Sequence, residues 1–533
     1  MINDQAGKDY LLNASHKPPA DIEEYVYFED GILYVASSYQ YNPRVLAWEN
    51  KLMRLGVYIR KEARGMQEIE QLRKRSISAE RRLTAADELR IALGFIDHGV
   101  KMKASDLHFV VEENRCKVLY RVDGFLDVYT EISRQEAMRY ISALYVSSDV
   151  KNRGGFSFDG PIAARIRTGL PEGVYAVRFA SMKTDRGGIV ALRLLYDTVA
   201  NRVYTDRIDL PTLGFNERQV EMLYEMAAAP NGLIVIDGPT GSGKSTTLKY
   251  ILQWIRQQYP QFNILTVEDP PEYPIDGAQQ IPVLAQDGDV EDQEARSRAY
   301  GSIISTSLRL DPDVLMVGEV RDGTSAIAAL RAAITGHRLW TTVHANDAWE
   351  AVNRLVDLLR EGGMADPIPV LANTQNLAGL IAQRLVPILC PHCKIPFSEG
   401  KSRLPRVVLD ELFAAVPDLD TSKVYVRGDG CQYCVPTVPG QGPRETDDMR
   451  RGILGRTVVA EIVRPTQRLL DVVREKGVPA AREFWLRHAG GTTIVDHALE
   501  KICAGIVDPA IARDFIGPLV SSRQLLAAYD AGS

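Results

Sequence analysis

The chain has 533 residues, of which 45% are hydrophobic and 25% charged, and this composition excludes a collagen-like, mucin-like or largely disordered protein. Its 63 Lys and Arg residues against 69 Asp and Glu residues give a formal net charge of −6. Proteins that bind nucleic acid usually carry a basic excess, so this balance argues against that class. The length predicts roughly three or four domains.

The N-terminal stretch and the apolar runs bear on location. Residues 1–19 contain no basic segment followed by an apolar core, so we expect no secretory signal peptide. No run reaches the roughly 18 apolar residues that cross a bilayer. The longest candidate, residues 370–389, is interrupted by polar side chains that include Gln383 and Arg384. We therefore expect a cytoplasmic protein, and any membrane role that it has is expected to be peripheral.

Two regions precede the central part of the chain. Residues 1–82 form a variable N-terminal region in which a helical pattern begins at Pro43 and basic side chains cluster over 51–82. We interpret this cluster as the solvated face of docking helices, and alternatively as a surface for an acidic partner or lipid headgroups. Short β-like runs alternate with helices over 83–200, which predicts an α+β domain. Residues 201–210 are polar and lack periodicity, so we predict a linker there.

The sequence pattern changes twice in the rest of the chain. Strand-like runs alternate with helical stretches over residues 211–387, which predicts an α/β fold with a parallel sheet covered by helices on both faces. Two CxxC pairs and scattered prolines mark residues 388–460. Residues 461–533 again have a helical pattern.

A glycine-rich turn lies between a strand and a helix start in the sequence LIVIDGPTGSGKSTTL, residues 233–248. It matches the GxxxxGK[ST] pattern, whose backbone amides surround phosphate oxygens. The predicted nucleotide-binding residues are Gly238, Pro239, Thr240, Gly241, Ser242, Gly243, Lys244, Ser245 and Thr246. Lys244 is expected to reach the β- and γ-phosphates, and Ser245 to bind Mg²⁺. The alternative is a chance glycine-rich turn, and the flanking strand and helix favour a site for a nucleoside triphosphate.

Acidic residues and histidines follow this turn at the ends of predicted strands. Glu268, with Asp269 and Glu272 close behind, ends one strand, and Glu319 follows another. Hydrolysis needs a carboxylate that activates water, and surface ion pairs are the alternative. His337 and His344 flank a strand-like run. We expect one of them to sense the γ-phosphate, with a core histidine as the alternative.

Four of the six cysteines form two CxxC pairs, Cys390 with Cys393 and Cys431 with Cys434. Each pair places two thiolates on one metal, and four sulfurs make a closed tetrahedral site that is typical of structural zinc. Free buried cysteines are the alternative. We interpret His392 as a bystander rather than a ligand.

The motifs together resemble those of the secretion ATPase superfamily, the motors of type II secretion and type IV pilus assembly. GPTGSGKST resembles its Walker A motif, ILTVEDPPEY its Asp box, SLRLDPDVLMVGEVRD its Walker B motif and TGHRLWTTVHANDA its His box. The upstream stretch ASDLHFVVEENRCKVLYRVDG resembles the entry to the domain that precedes the motor. The likeness covers roughly residues 100–520.

The resemblance implies a RecA-like P-loop ATPase core, a smaller α+β (PAS-like) domain before it and a zinc-bearing C-terminal subdomain. It implies ATP hydrolysis with Glu319 as the catalytic glutamate and Glu268 as a second acidic group at the water and metal. His344 becomes the phosphate-sensing histidine. The upstream domain supplies Arg178 and Arg193 to the phosphates of the nucleotide. For these arginines, an ion pair at a strand edge is the alternative.

The resemblance also implies partners. We expect a homohexamer that docks on an inner-membrane platform protein and acts indirectly on pilins, with no nucleic acid bound. The four-cysteine element is carried by extension and secretion motors and lacking in retraction motors, which favours extension or secretion. A short N-terminal region and an insertion after Cys434 favour a type IV pilus system over type II secretion. Alternatives are a RecA-like nucleic-acid translocase and a nucleotide-binding subunit that hydrolyses nothing. Arg338 and Trp340 depart from the small or aliphatic residues of the family's His box.

Overall fold

The computed structural model describes residues 18–19, 21–29, 32–54, 59–80, 84–149, 155–196, 210–283, 293–434 and 451–532. The predicted linker lies outside these residues except for Leu210, and so does most of the predicted insertion after Cys434. The chain divides into two compact units, one formed mainly by residues 1–201 and the other mainly by residues 202–533. Among the described residues, no helix combines the length and the apolar content needed to cross a membrane.

The first unit begins with a small α/β layer. Its elements are β1 (Val26–Glu29), β2 (Ile32–Ala36), a 3₁₀ turn (Ser37–Tyr39), α1 (Pro43–Arg54), β3 (Arg60–Arg64) and α2 (Met66–Glu80). The strands form a sheet in the order β1-β2-β3, with β3 parallel to β2. The helical pattern predicted from Pro43 to residue 82 is therefore interrupted by a strand. The reason is that β2 offers an unpaired edge, and the exposed, charged residues of β3 pair with it.

The second part of this unit is a sheet with helices on one face. Its elements are α3 (Ala85–Lys101), β4 (Asp106–Val111), β5 (Arg115–Val122), β6 (Phe125–Ser133), α4 (Arg134–Val146), β7 (Ile162–Ile166), β8 (Val174–Thr184) and β9 (Gly187–Tyr196). The described strands lie in the order β6-β5-β4-β9-β8-β7, all antiparallel to their neighbours. We call this the N-domain sheet. Alternate residues such as Phe109 and Leu192 face a core shared with Phe95 of α3 and Tyr140 of α4.

The second unit is built on another sheet, which we call the central sheet. Its described strands are β10 (Gly232–Asp237), β11 (Ile264–Glu268), β12 (Ala278–Pro282), β13 (Val314–Val317), β14 (Arg338–Val343), β15 (Leu377–Leu389) and β18 (Ile453–Val463). They lie in the order β12-β11-β13-β14-β10-β15-β18, parallel except for β18. The α/β character is as predicted. The sheet also takes in residues 453–463, which the sequence places with the cysteine element.

Helices cover both faces of the central sheet. They are α5 (Leu210–Leu213), α6 (Glu217–Ala228), α7 (Lys244–Gln258), α8 (Gln293–Ser307), α9 (Gly323–Ile334), α10 (Ala348–Glu361), α11 (Ile368–Leu371), α12 (Phe397–Gly400), α13 (Arg406–Ala415), α14 (Gln467–His488), α15 (Ile494–Cys503), α16 (Pro509–Ile516) and α17 (Ser522–Gly532). Two short strands, β16 (Ile395–Pro396) and β17 (Tyr425–Val426), pair beside 3₁₀ turns at Lys401–Arg403 and Thr421–Lys423. The two faces have separate apolar cores, with α6 and α7 on one side and α9 and α10 on the other.

Candidate active site

The glycine-rich turn follows β10, whose residues are all buried, and leads directly into α7. Gly238 has a φ of 142°, and a Cβ there would collide with the carbonyl oxygen of Gln383. Gly243, the N-cap of α7, has a φ of 89°, in the left-handed region that favours glycine. Glycine is thus required at Gly238 by close approach and at Gly243 by conformation. The turn presents backbone amides at a helix N-terminus, an arrangement that binds phosphate.

Lys244 lies over this turn. Its Nζ donates hydrogen bonds to the carbonyl oxygens of Gly238, at 2.6 Å, and Pro239, at 3.1 Å. Burial lowers the pKa of Lys244, while the carboxylates of Glu319 and Asp237 act in the opposite direction. The ammonium is therefore held where a phosphate bound in the turn would meet it.

The turn has a support that sequence reasoning did not assign. Gln383 of β15 is fully buried; its Nε2 donates to the carbonyl oxygen of Ser242 at 2.7 Å, and its Oε1 accepts from Thr247 Oγ1 at 3.0 Å. One amide thus joins the turn to the first helical turn that follows it. The signal in the sequence was a polar residue within the apolar run 370–389.

A second buried group lies beneath the turn. Asp237, the last residue of β10, is fully buried, and burial raises its pKa to about 8. Asp347 adds to this effect, whereas Arg384 and Lys244 oppose it. Burial therefore favours the neutral form of Asp237 beneath the phosphate-binding turn.

Glu319 follows β13 and contacts two basic side chains. Its Oε2 accepts from Arg321 Nε at 2.8 Å, and its Oε1 lies 3.1 Å from His344 Nε2. The loop itself is tied to β11, because Gly318 N donates to the carbonyl oxygen of Val267 at 2.8 Å. The structure thus brings together Glu319 and His344, two of the residues singled out in the sequence.

Glu268 ends β11 and is 8% exposed. One of its carboxylate oxygens accepts from Thr266 Oγ1 at 2.6 Å and from Gln280 Nε2 at 2.8 Å. Burial raises the pKa of Glu268, and these hydrogen bonds oppose the rise. A cavity of about 30 Å³ is lined by Ser245, Glu268 and Glu272. Hydroxyl and carboxylate oxygens are the ligands that Mg²⁺ prefers, so the donor set around this cavity fits that ion.

The two histidines lie at opposite ends of β14. His337 precedes the strand, and its Nδ1 lies 3.2 Å from the carbonyl oxygen of Ala332 at the end of α9. His344 follows the strand at the edge where β10 leads into the glycine-rich turn. The geometry therefore separates His337 from the candidate site and leaves His344 in it.

Arg338 and Trp340 also lie on β14. Arg338 is 5% exposed and donates to the carbonyl oxygens of Ala228 and Ala229, where α6 ends. Its guanidinium also lies over the ring of Phe262, 5.5 Å from the centroid. Trp340 is fully buried in the core on the α7 side of the sheet. Both departures from the His box therefore serve packing rather than the nucleotide end of the strand.

Arg178 and Arg193 lie in the first unit. They are directly opposite each other on β8 and β9 of the N-domain sheet. Arg193 Nε donates to Asp106 Oδ1 at 3.0 Å. The two predicted arginines are therefore neighbours on one sheet face, and the alternative of an ion pair is present for Arg193.

The four cysteines come together although 37 residues separate Cys393 from Cys431. Their sulfur atoms all lie within 4.8 Å of one another, and those of Cys431 and Cys434 are 3.8 Å apart. Zn–S bonds of about 2.3 Å in a tetrahedron place sulfur atoms about 3.8 Å apart. The donor set fits zinc, and His392 is not part of the group.

A phosphate-binding turn, a carboxylate pair at the ends of neighbouring parallel strands and a cavity bordered by Ser245, Glu268 and Glu272 together define a P-loop nucleoside triphosphatase. The family model described as "Type II/IV secretion system protein" matches residues 89–515. The chain belongs to this family and is an ATP-hydrolysing enzyme. The predicted membership of the secretion ATPase superfamily is confirmed.

Relatives and solved structures agree with this assignment. The type II secretion system protein E of Pseudomonas aeruginosa is 32% identical over 422 residues, which cover 78% of this chain and 73% of that protein. The type IV pilus assembly ATPase PilB of Thermus thermophilus is 31% identical over 412 residues, 75% of this chain and 41% of that protein.

Two crystal structures share the fold. The Legionella pneumophila ATPase DotB has a TM-score of 0.51 at 19% identity and covers 79% of this chain and 93% of its own. The pilus retraction motor PilT with bound ADP has a TM-score of 0.50 at 22% identity and covers 79% and 96%.

Proposed function

We propose that this chain is a cytoplasmic, homohexameric motor that couples ATP hydrolysis to type IV pilus assembly at an inner-membrane platform. The observation that carries the proposal is the contact of Glu319 with His344 close to a complete P-loop. In a motor of this kind, the unit built on the central sheet is a RecA-like core and the N-domain sheet belongs to a PAS-like domain. The proposed domain boundaries are those given from the sequence, except that residues 453–463 are assigned to the core because β18 pairs with β15.

The proposed residue roles rest on the resemblance to the family together with the chemistry of the side chains. Lys244 and the amides of the P-loop hold the β- and γ-phosphates, and Ser245 and Glu268 hold Mg²⁺ and its water. Glu319 orients or deprotonates the attacking water, and His344 senses the γ-phosphate through Glu319. Arg178 and Arg193 bring bidentate cations to the phosphates when the domains close.

Zinc in the four-cysteine group is proposed as a structural ion. Cys390 and Cys393 follow β15, and Cys431 and Cys434 belong to a segment distant in sequence. A closed sulfur site of this kind fixes two loops and carries no chemistry of its own. We propose that the surface it stabilises faces the platform protein.

A type II secretion motor is the second candidate, because several relatives bear that name at 31–36% identity. Deletion of the gene distinguishes the two. Loss of surface pili with normal export supports the first candidate, and retained pili with accumulation of an exported enzyme inside the cell support the second. Mass measurement of the purified chain with ATP and Mg²⁺ tests the hexamer. ATPase activity that rises on contact with a purified platform protein tests docking.

A further inference from the structure

A row of charged side chains crosses the N-domain sheet on the face opposite α3 and α4. The strand registers place Arg165 opposite Arg178, Arg178 opposite Arg193, Arg193 opposite Asp106, and Asp106 opposite Arg121. Directly opposite residues on neighbouring strands lie on the same face, with Cβ atoms about 5 Å apart. We call this the arginine row, and it extends beyond the two arginines that the sequence motifs pointed to.

On β7, β8 and β9 the neighbouring positions on this face are small, whereas β4 carries His108 there. Two residues along each strand from the row, Ala163 lies opposite Ala180, and Ala180 lies opposite Ala191. Residues two apart on a strand share a face, so these methyl groups flank the guanidiniums. The side chains beside Arg165, Arg178 and Arg193 on this side are therefore small, and the imidazole of His108 lies beside Asp106.

Asp106 is the acidic member of the row, and its two oxygens have different partners. Oδ1 accepts from Arg193 Nε at 3.0 Å. Oδ2 accepts from Ser105 Oγ at 2.8 Å and lies 3.9 Å from Arg121 Nε. Asp106 is 7% exposed, whereas the side chain of Arg193 is 39% exposed. A buried, oriented carboxylate thus holds a half-exposed guanidinium.

Ser105 is itself fixed in the sheet. Its backbone N–H donates to the carbonyl oxygen of Arg121 at 2.7 Å, and its own carbonyl oxygen accepts from Leu194 N at 3.0 Å. The direction of the Asp106 carboxylate is therefore set by the sheet and not by the arginine. A long arginine side chain loses much conformational entropy when it binds an anion. A partner that already holds Nε before the anion binds makes the further loss smaller.

We propose that Asp106 is a positioning residue that orients Arg193 for the phosphates of ATP. The proposal rests on the role for Arg193 given above. The other oxygen of Asp106 faces Arg121, so the single negative charge of Asp106 is shared between two cations of the row. In this proposal Asp106 acts through Arg193.

The test compares Asp106→Ala, Asp106→Asn, Arg193→Ala and the double variant Asp106→Ala/Arg193→Ala in the full-length chain by steady-state ATPase kinetics. We expect Asp106→Ala to lower kcat about tenfold with little change in KM, because the interaction of Arg193 strengthens as charge develops. Asp106→Asn keeps an oxygen that accepts from Nε, so we expect it to restore most of kcat. The double variant should be no slower than Arg193→Ala alone.

Glu112→Ala is the matched control. Glu112 accepts from Arg115 Nε at 2.7 Å in the same sheet but outside the row, so its loss should leave kcat unchanged. Normal turnover in Arg193→Ala contradicts the proposed role of Arg193. A slow Arg193→Ala together with a normal Asp106→Ala overturns only the positioning role. Additive losses in the double variant, or a slow Glu112→Ala, also overturn it. If Asp106→Ala does not fold, Asp106→Asn is the remaining test. A slow but folded Asp106→Asn with unchanged KM overturns positioning through the hydrogen bond to Arg193 Nε.

Discussion

Each unit of this protein has a carboxylate–arginine pair among the proposed site residues, and the two pairs are built in different ways. Glu319 accepts from Arg321 Nε at 2.8 Å, and the two residues are two positions apart in the sequence. Asp106 accepts from Arg193 Nε at 3.0 Å across 87 positions. The first pair is set by a single loop after β13, whereas the second needs the register between β4 and β9. Local motifs therefore reveal the first kind of site and leave the second hidden.

The pairs also differ in surroundings. Glu319 is at the end of a parallel strand, where ligands gather in open α/β sheets, and it is held by both Arg321 and His344. Asp106 lies on an antiparallel sheet with cations on both sides. We expect the first carboxylate to act on the reaction and the second to act on an arginine. The predictions below separate these two uses of a carboxylate.

Glu319→Gln should have the largest effect. The amide keeps the size of the side chain but cannot act as a base, so we expect kcat to fall by at least about 100-fold. Binding of ATP, followed with a fluorescent analogue, should remain. The P-loop residues that hold the phosphates are not altered.

Glu225→Gln is the control for this variant, since Glu225 accepts from Arg464 at 2.7 Å elsewhere in the same unit. It should hydrolyse ATP normally. Near-normal turnover by Glu319→Gln would rule out the catalytic role of Glu319 and leave it as an ion-pair partner like Asp106.

The cysteine group combines both kinds of contact. Each CxxC pair is local in the sequence, and the two pairs come together only in the folded chain. We expect metal analysis of the purified chain to give about one zinc per chain. Cys431→Ser should lose most of that zinc. Cys503→Ser, which alters a cysteine outside the group, should keep it. A folded, metal-free protein contradicts the zinc site.

Gln383→Ala tests a purely long-range contact at the P-loop. It removes hydrogen bonds to Ser242 and Thr247 in a buried position. Because the carbonyl of Ser242 loses its donor, we expect KM for ATP to rise several-fold and stability to fall by about 1–3 kcal/mol. Gln375→Ala alters an exposed amide before the same strand and should change neither. An unchanged KM in Gln383→Ala would show that the turn keeps its shape without this support.

The sequence predicted the parts of this site that depend on neighbours in the chain. The glycine-rich turn, the positions of Glu268 and Glu319 at strand ends and the α/β alternation are local patterns, and the structure has them where the sequence places them. Gln383 could not be assigned a role, because only the pairing of β15 with β10 brings it under the turn. The strand β3 was missed because its charged residues look like a helix face until an unpaired edge of β2 is available.

We expect the smallest effect from a substitution of Arg338. This arginine is held by backbone carbonyl oxygens rather than by a carboxylate. Its partners are the carbonyl oxygens of Ala228 and Ala229, where the dipole of α6 is negative. Burial lowers the pKa of Arg338, so the charge is costly and is offset by this cap and by Phe262. Arg338→Met keeps an apolar stem but leaves those carbonyls without a donor. We expect a loss of about 1–2 kcal/mol in a thermal or denaturant melt, with kcat and KM unchanged. A change in kcat would mean that the two ends of β14 are coupled, since His344 follows the other end of the same strand.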